Sequence, residues 1–211
     1  MFPDIVLGLY VTLSLFSFSW LIGFPISLLF AVMVFLHPST RLYVKVFSVF
    51  FAITPLLAVL FWLHYPAQTL LGIVVNPYQT SVFVLTLFVI ANATDILVVT
   101  MIDVNQRYID AIKVLGISWQ YYLKKALLPV TIFTSIPRLL NLAVTTIHAT
   151  MFTSLIGVEE LFRIIQRLNS QYLKPVELFS IMALGYIVMC LPLYGMAVYI
   201  KQRYKIGDEQ A

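Results

Sequence analysis

Few side chains in this chain could perform covalent chemistry, and those few are scattered. The three histidines are His37, His64 and His148, and the single cysteine is Cys190. A metal site needs several such ligands at close spacing, and a nucleophilic site needs a base beside the nucleophile. The chain also contains no phosphate-binding G-x-x-x-x-G-K-[ST] loop. The sequence therefore predicts no catalytic residue, no metal site and no bound cofactor.

Polar residues inside apolar segments are better candidates for contact with a solute. Asp95 lies about 10 Å from the end of its segment, at 1.5 Å per helical residue. At that depth an acidic group costs a few kcal/mol unless it faces protein or water. Asp95 is therefore predicted either to face a solute path or to form a structural ion pair with Arg138.

Other polar residues in the apolar segments are candidates for the same solute path, which we call the candidate path. Asn141 and His148 are seven residues apart, which places them on one face of a helix. Asn92 and Thr150 lie in the same two apolar segments as Asp95 and His148 and join the set. For His148 a hydrogen bond to a neighbouring helix is the alternative to contact with a solute.

The composition identifies a membrane protein. The chain has 211 residues, of which 61% are hydrophobic and 10% are charged, and its mean hydropathy is +0.96. Soluble domains contain about 25% charged residues. The net charge of +4 comes from basic residues in short loops, where they set membrane topology rather than bind nucleic acid. Because there is no repeat or second domain in the pattern, residues 1–211 are expected to form one membrane domain.

Five apolar runs are long enough to cross a bilayer as helices. They occupy approximately residues 5–36, 46–64, 81–102, 130–156 and 177–200. A polar segment, residues 103–129, separates the third run from the fourth, and a second one, 158–176, separates the fourth from the fifth. The sequence predicts an all-α membrane protein with about five transmembrane helices.

The distribution of basic residues predicts the orientation. One side would carry most of them, and the other side would carry three. The larger set is Arg41, Lys45, Arg107, Lys113, Lys124, Lys125, Lys201, Arg203 and Lys205, and the smaller set is Arg163, Arg167 and Lys174. Since basic loops stay in the cytoplasm, the N-terminus is expected outside, the C-terminus inside, and segment 103–129 in the cytoplasm.

The cytoplasmic segment has a regular frame. It consists of Asp110-Ala111, Gly116 and Leu128-Pro129. Apolar residues recur there at spacings of three and four, which favours an amphipathic helix. A glycine costs about 1 kcal/mol relative to alanine within a helix, so two short helices are expected, joined at Gly116, with Ser118 as the cap of the second. A charged, helix-prone loop of this kind predicts docking of a soluble partner.

This frame resembles the motif of ABC-importer permeases, which reads E-A-A, three residues, G, and a spacer leading to L-P. Asp110 stands at the position of the Glu, and Ile112 at that of the second Ala. SLIGVEELFRIIQ at 154–166 resembles the V-I-G-V-x-E-L segment of the polar amino-acid permease branch. T-P-L-L at 54–57 is similar to the branch's G-T-P-L-L. The resemblance runs through most of the chain and is strongest over 93–203.

The resemblance implies a type I ABC importer permease in the bacterial cytoplasmic (inner) membrane. Such a subunit is not an enzyme, because ATP and Mg are bound by separate cytoplasmic ATPase subunits. Its other partners would be a second permease copy or a paralogue, a periplasmic or tethered solute-binding protein, and membrane lipid. The helix before Gly116 would dock on an ATPase, with Asp110 pairing to a basic group there.

Some positions depart from the family pattern. Its R-G is Ala52-Ile53 here, its Asn-Glu pair is Asn141-Leu142, and its Lys-Asp-Thr is His148-Ala149-Thr150, while an Arg and Gly-Gly near Asp95 are replaced at 98–100. These departures concern the solute rather than the architecture, so an amino acid and another small polar solute both stay open. The alternative function is a non-transporting assembly or scaffold protein that keeps only the docking loop.

Overall fold

Long apolar helices make up most of the computed structural model, which describes residues 2–116 and 118–204. The side chains at 107, 109–111, 113, 115 and 204 lie outside this description. Within these described ranges, four helices are long and apolar enough to cross a membrane, and a bent pair brings the number to five if it counts as one span. The predicted all-α membrane fold is confirmed.

The helices follow one another with short connections. In the described residues they are α1 (Phe2–Leu36), α2 (Arg41–Ile53), α3 (Leu56–His64), α4 (Pro66–Leu71), α5 (Pro77–Leu115), α6 (Trp119–Tyr122), α7 (Leu128–Ala149), α8 (Leu161–Tyr172) and α9 (Pro175–Tyr204). A π-helical turn, Leu123–Leu127, joins α6 to α7, and a 3₁₀ segment, Thr150–Ile156, extends α7.

The second span differs from the predicted continuous helix over 46–64. The helical direction turns by 98° between Pro38–Ile53 and Leu56–Leu71. Pro55 causes the break, because its ring disfavours a helical conformation at the preceding residue. Thr54 accordingly has an extended ψ of 125°. This span is therefore a broken or re-entrant element.

A stripe of small residues on α1 positions the rest of the bundle. Its buried positions include a series spaced mainly at four residues: Gly8, Thr12, Ser19, Gly23, Ser27 and Ala31. A Cβ atom at Gly23 would lie 2.9 Å from Val89 Cγ1, so α1 and α5 approach closely. Without a hydrophobic drive between helices in lipid, small residues permit this contact and stabilise it by van der Waals packing.

Contacts between helix ends define two sides of the molecule. On one, Phe35 stacks on Trp119 with ring centroids 5.8 Å apart. We call this the Gly116 side. On the other, Arg167 pairs with Asp4 at 3.6 Å. We call this the α8 side.

Replacing Gly23 with valine tests the close packing of α1 on α5. The added side chain must displace Val89, and overpacking of this kind typically costs about 1–3 kcal/mol. We expect a lower Tm for the purified protein in detergent, measured by thermal unfolding.

Gly195→Val is the matched control, because Gly195 lies within α9 and a Cβ atom added there would have no other atom within 4 Å. Both changes place a β-branched residue in a helix, so they differ in packing alone. An equal fall in Tm for the two variants would contradict the packing argument.

Candidate functional site

The turn at Gly116 is the first part of the candidate site. Gly116 has a φ of +61°, in the left-handed region that costs other L-residues about 1–2 kcal/mol. The break predicted there is present, but the helix before it is not a separate short helix. It is the end of α5, which runs unbroken for 39 residues. The side chains of Asp110 and Ala111 fall outside the described residues, and their role in docking stays a prediction.

Beyond the turn, the chain enters the fourth span through an irregular helix. Ser118 occupies the N-cap position of α6, as predicted, but its side chain makes no capping hydrogen bond. The π-helical turn Leu123–Leu127 follows and precedes Pro129 at the start of α7. A proline ring clashes with the carbonyl four residues earlier in an α-helix. The π-helical turn is wider than an α-helical one and relieves this clash. Leu128-Pro129 therefore sets the direction in which the chain enters α7.

The surface around Gly116 combines exposed apolar and basic groups. Val114 is 86% exposed and Tyr121 is 61% exposed. Lys124 and Lys125 are also exposed. Apolar side chains beside positive charges at the end of a membrane bundle suit contact with a soluble protein carrying acidic groups.

The predicted path residues of α5 lie on one face of that helix. Asp95 is exposed and Asn92 is partly buried, and they are three residues apart. The Asn92 amide donates to the Phe88 carbonyl at 2.8 Å. Arg138 is exposed as well, but within the described residues no ion pair joins it to Asp95.

On α7, two of the predicted path residues lie on one exposed face with Thr145. Asn141, Thr145 and His148 are exposed and are spaced at four and three residues. Thr150, by contrast, is fully buried in the 3₁₀ segment and donates to the Ile147 carbonyl at 2.7 Å. The structure thus places Thr150 behind this face rather than on it.

His148 also contacts α9. Its Nε2 atom lies 3.6 Å from Cys190 Sγ, and its ring lies 6.0 Å from that of Tyr186. Among residues 2–116 and 118–204, no three His, Cys, Asp or Glu side chains converge as a metal site would require.

Glu160 is a residue that the sequence reasoning missed. Its side chain is fully buried at the N-cap of α8 and accepts hydrogen bonds from the backbone N–H groups of Phe162 and Arg163, both at 2.9 Å. The Tyr186 hydroxyl donates to its Oε2 atom at 3.2 Å. Burial raises the pKa of Glu160 to about 7, although these hydrogen bonds oppose the shift. An acidic residue directly before an amphipathic run was the signal for such a cap.

The start of α8 is enclosed by α1 and held to the 3₁₀ segment. A Cβ atom at Gly8 would lie 2.9 Å from Leu161 Cα, and the Thr12 hydroxyl accepts from the Leu161 N–H at 3.3 Å. The Arg163 guanidinium donates to the Ser154 carbonyl at 2.6 Å. These contacts fix α8 against the ends of α1 and α7.

Solved structures share this fold. A crystal structure of an amino acid ABC transporter with histidines matches with a TM-score of 0.85 and 23% identity, covering 95% of this chain and 94% of that one. The inward-facing MetNI methionine ABC transporter, in its CY5 native crystal form, matches with a TM-score of 0.70 and 15% identity, covering 96% and 97%. At these identities the likeness shows the fold alone.

Relatives and a family model give the more specific result. The L-cystine transport system permease protein TcyB of Bacillus subtilis (strain 168) is 29% identical over 202 residues, which cover 93% of this chain and 84% of that protein. TcyL of the same organism, also an L-cystine transport system permease protein, is 23% identical over 99% of this chain and 87% of its own length. The model of the binding-protein-dependent transport system inner membrane component matches residues 23–206. The chain therefore belongs to the family of binding-protein-dependent transport system inner membrane components.

Proposed function

We propose that this chain forms half of the translocation path of an ATP-driven importer for an amino acid or a similar small polar solute. Membership of the family makes it a permease subunit, a transport component rather than an enzyme. The observation that carries the proposal is the family match over 23–206, joined to relatives named for L-cystine transport. The bacterial inner membrane is the proposed location.

The exposed polar face supports a second permease copy or a paralogue. Asp95, Asn141 and His148 are exposed on membrane-spanning helices of the single chain. Polar and ionisable side chains are costly against lipid and normally face protein or a water-filled cavity. A partner permease that faces α5 and α7 would enclose them in an aqueous path. The pore would then have one wall from each subunit.

The Gly116 side is the proposed site of contact with a cytoplasmic ATPase. Its exposed lysines fit a cytoplasmic location by the positive-inside rule, and Tyr121 and Val114 offer apolar contact area. ATP and Mg would be bound by that partner. Asp110, in the last turns of α5, is proposed to pair with a basic group on it. The α8 side would then face a periplasmic or tethered solute-binding protein.

The positions that depart from the family pattern bear on the scaffold alternative, and they divide into buried and exposed ones. Three positions that depart from the family pattern are buried within the chain: Val98 and Leu142 are each 7% exposed, and Ala149 is 6% exposed. Their apolar side chains therefore do not remove polar groups from the exposed face. Three other departures are exposed, namely Ala52, Ile53 at 75% and Val99 at 41%. The uptake measurements that follow therefore decide between transport and a purely structural function.

Gly116→Val tests the proposed coupling to the ATPase. Valine at a φ of +61° strains the turn without a steric clash, since no atom lies within 4 Å of the Cβ position. We expect ATP-driven uptake into vesicles to fall by about tenfold or more. A strain of about 1.4 kcal/mol at the Gly116 turn corresponds to a tenfold change in an equilibrium constant. ATP hydrolysis by the assembled complex should persist.

Gly72→Val is its matched control, because Gly72 has a φ of +64° and the same open surroundings, and it lies between α4 and α5, at the opposite end of α5 from Gly116. It applies the same strain away from the ATPase. Uptake unchanged in Gly116→Val, or reduced equally in both variants, would rule out a specific coupling role.

His148→Ala tests the proposed solute path. If the exposed imidazole contacts the solute, its loss should raise KM for uptake by about threefold to thirtyfold, the range expected for one polar contact. The measurement is uptake of a panel of labelled amino acids, beginning with L-cystine.

His37→Ala is the control, because His37 is an exposed histidine in the loop after α1. It should leave KM and the preference among amino acids unchanged. A His148→Ala variant with wild-type KM and preference would remove His148 from the path.

A further inference from the structure

The buried carboxyl group between α8 and α9 belongs neither to the proposed solute path nor to the Gly116 side, where the ATPase is proposed to bind. Glu160 is fully buried and has three donors around it, from Phe162, Arg163 and Tyr186. A neutral side chain would avoid the desolvation that an ionised group suffers there. Its place in the fold therefore calls for a role beyond packing.

Glu160 is connected to the candidate path through one residue. The Tyr186 hydroxyl donates to Glu160 Oε2 at 3.2 Å, and the Tyr186 ring lies 6.0 Å from the His148 ring. Cys190, one turn further along α9, lies 3.6 Å from His148 Nε2. A contiguous series of contacts therefore runs from the start of α8 through α9 to the exposed face of α7.

There is little free space in which these contacts could relax independently. A Cβ atom at Gly185 would lie 3.1 Å from Leu161 Cδ2, and one at Gly8 would lie 2.9 Å from Leu161 Cα. The first turn of α8 is thus packed directly between α1 and α9. A change that breaks the hydrogen bonds of Glu160 must consequently be taken up by Tyr186 or by the first turn of α8.

The surroundings of Glu160 contain few other titratable groups among the described residues. Tyr186 faces it from α9, Cys190 and His148 lie beyond Tyr186, and the α1 residues at this contact, Gly8 and Thr12, are uncharged. Against the larger effect of burial, the positive charge of Arg163 on α8 acts on Glu160 and lowers its pKa. Arg163 directs its guanidinium to the Ser154 carbonyl and to Glu159. With its pKa raised to about 7 by burial, Glu160 changes its ionisation near neutral pH.

We propose that Glu160 is a positioning residue for transport, which acts through Tyr186 to hold His148 at the edge of the solute path. This inference rests on the proposed function, since His148 matters in this way only if the chain carries a solute. Three donors suit the ionised carboxylate, which accepts only. A proton on Glu160 competes with the Tyr186 hydroxyl for Oε2. Transport should therefore decline as the pH falls below about 7.

A double-mutant cycle in the reconstituted importer, with its ATPase and binding protein, tests the proposal. Glu160→Gln and Tyr186→Phe should each lower ATP-driven uptake of labelled L-cystine, L-histidine or L-methionine at pH 8 by about threefold to tenfold, as coupling positions do. The double variant should lose no more than either single variant, because both changes break one contact. The decline of wild-type uptake between pH 8 and pH 6 should be absent in all three.

Glu159→Gln is the matched control, since Glu159 is the neighbouring glutamate but is 46% exposed in ion pairs with Arg163 and Arg167. It should keep the wild-type decline of uptake between pH 8 and pH 6. Multiplicative losses in the double variant, an unchanged pH profile in Glu160→Gln, or a decline abolished equally in Glu159→Gln would overturn the proposal. Wild-type complex that takes up none of the three amino acids would count against the proposed function instead.

A measurement that needs no solute distinguishes failure of the positioning role from failure of the proposed transport function. Cys190 is the only cysteine of the chain and is buried beside His148. Its alkylation by N-ethylmaleimide in the assembled complex, measured on its peptide by mass spectrometry, should be about threefold faster in Glu160→Gln and Tyr186→Phe at one fixed pH. An unchanged rate in both variants would contradict the positioning role.

Stability should change with pH in the opposite direction to transport. The folded-state pKa of Glu160 is raised from 4.5 to about 7. The contribution of this group to the free energy of unfolding is therefore fully present below pH 4.5 and is lost as the pH rises to about 7. The Tm of the wild type relative to Glu160→Gln should therefore fall over this window. Glu160→Gln should be at least as stable as the wild type at pH 8, so unfolding cannot explain its lower uptake. A Tm difference that is independent of pH would contradict the ionisation of Glu160.

Discussion

The close approach of α1 to its neighbours is the constraint on which the rest of this structure depends. Gly23 brings α1 onto α5 at Val89, and Gly8 brings it onto the backbone of Leu161 at the start of α8. In lipid, apolar side chains gain little by leaving one apolar surrounding for another, so packing must come from fit. Small residues on one helix thereby fix both the helix that carries Asp95 and the segment that carries Glu160.

The sequence was sufficient for features that follow from a single strong signal. Long apolar runs predicted the spans, and the glycine within a helical pattern predicted the turn at Gly116. The features that the sequence did not predict depend on how two parts of the chain are arranged relative to each other. Pro55 breaks a span that hydropathy alone joins, and the role of Glu160 depends on Tyr186, which is 26 residues further along the chain. The family resemblance gave positions, but it could not give these contacts.

Burial separates two kinds of departure from the family pattern that look alike in the sequence. Leu142 and Ala149 replace polar family residues but face the interior of the bundle, whereas Asn141 and His148, their direct neighbours, are exposed. Successive helical residues point about 100° apart, since a turn contains 3.6 residues. Adjacent positions therefore carry different constraints, and on α7 the exposed face keeps the polar side chains of Asn141 and His148 although Leu142 and Ala149 beside them are apolar.

The two spans that bear the candidate path are joined to the Gly116 side in mechanically different ways. α5 is continuous from Asp95 to Leu115, so 20 residues of helix, about 30 Å at 1.5 Å each, separate the candidate path from the turn. α7 is reached through the π-helical turn and carries Pro137 within it. Interruptions of the regular hydrogen-bond ladder are the places where helices bend. A displacement at the Gly116 turn should therefore pass along α5 as a rigid movement and be partly absorbed before α7, which changes the separation of the two polar faces.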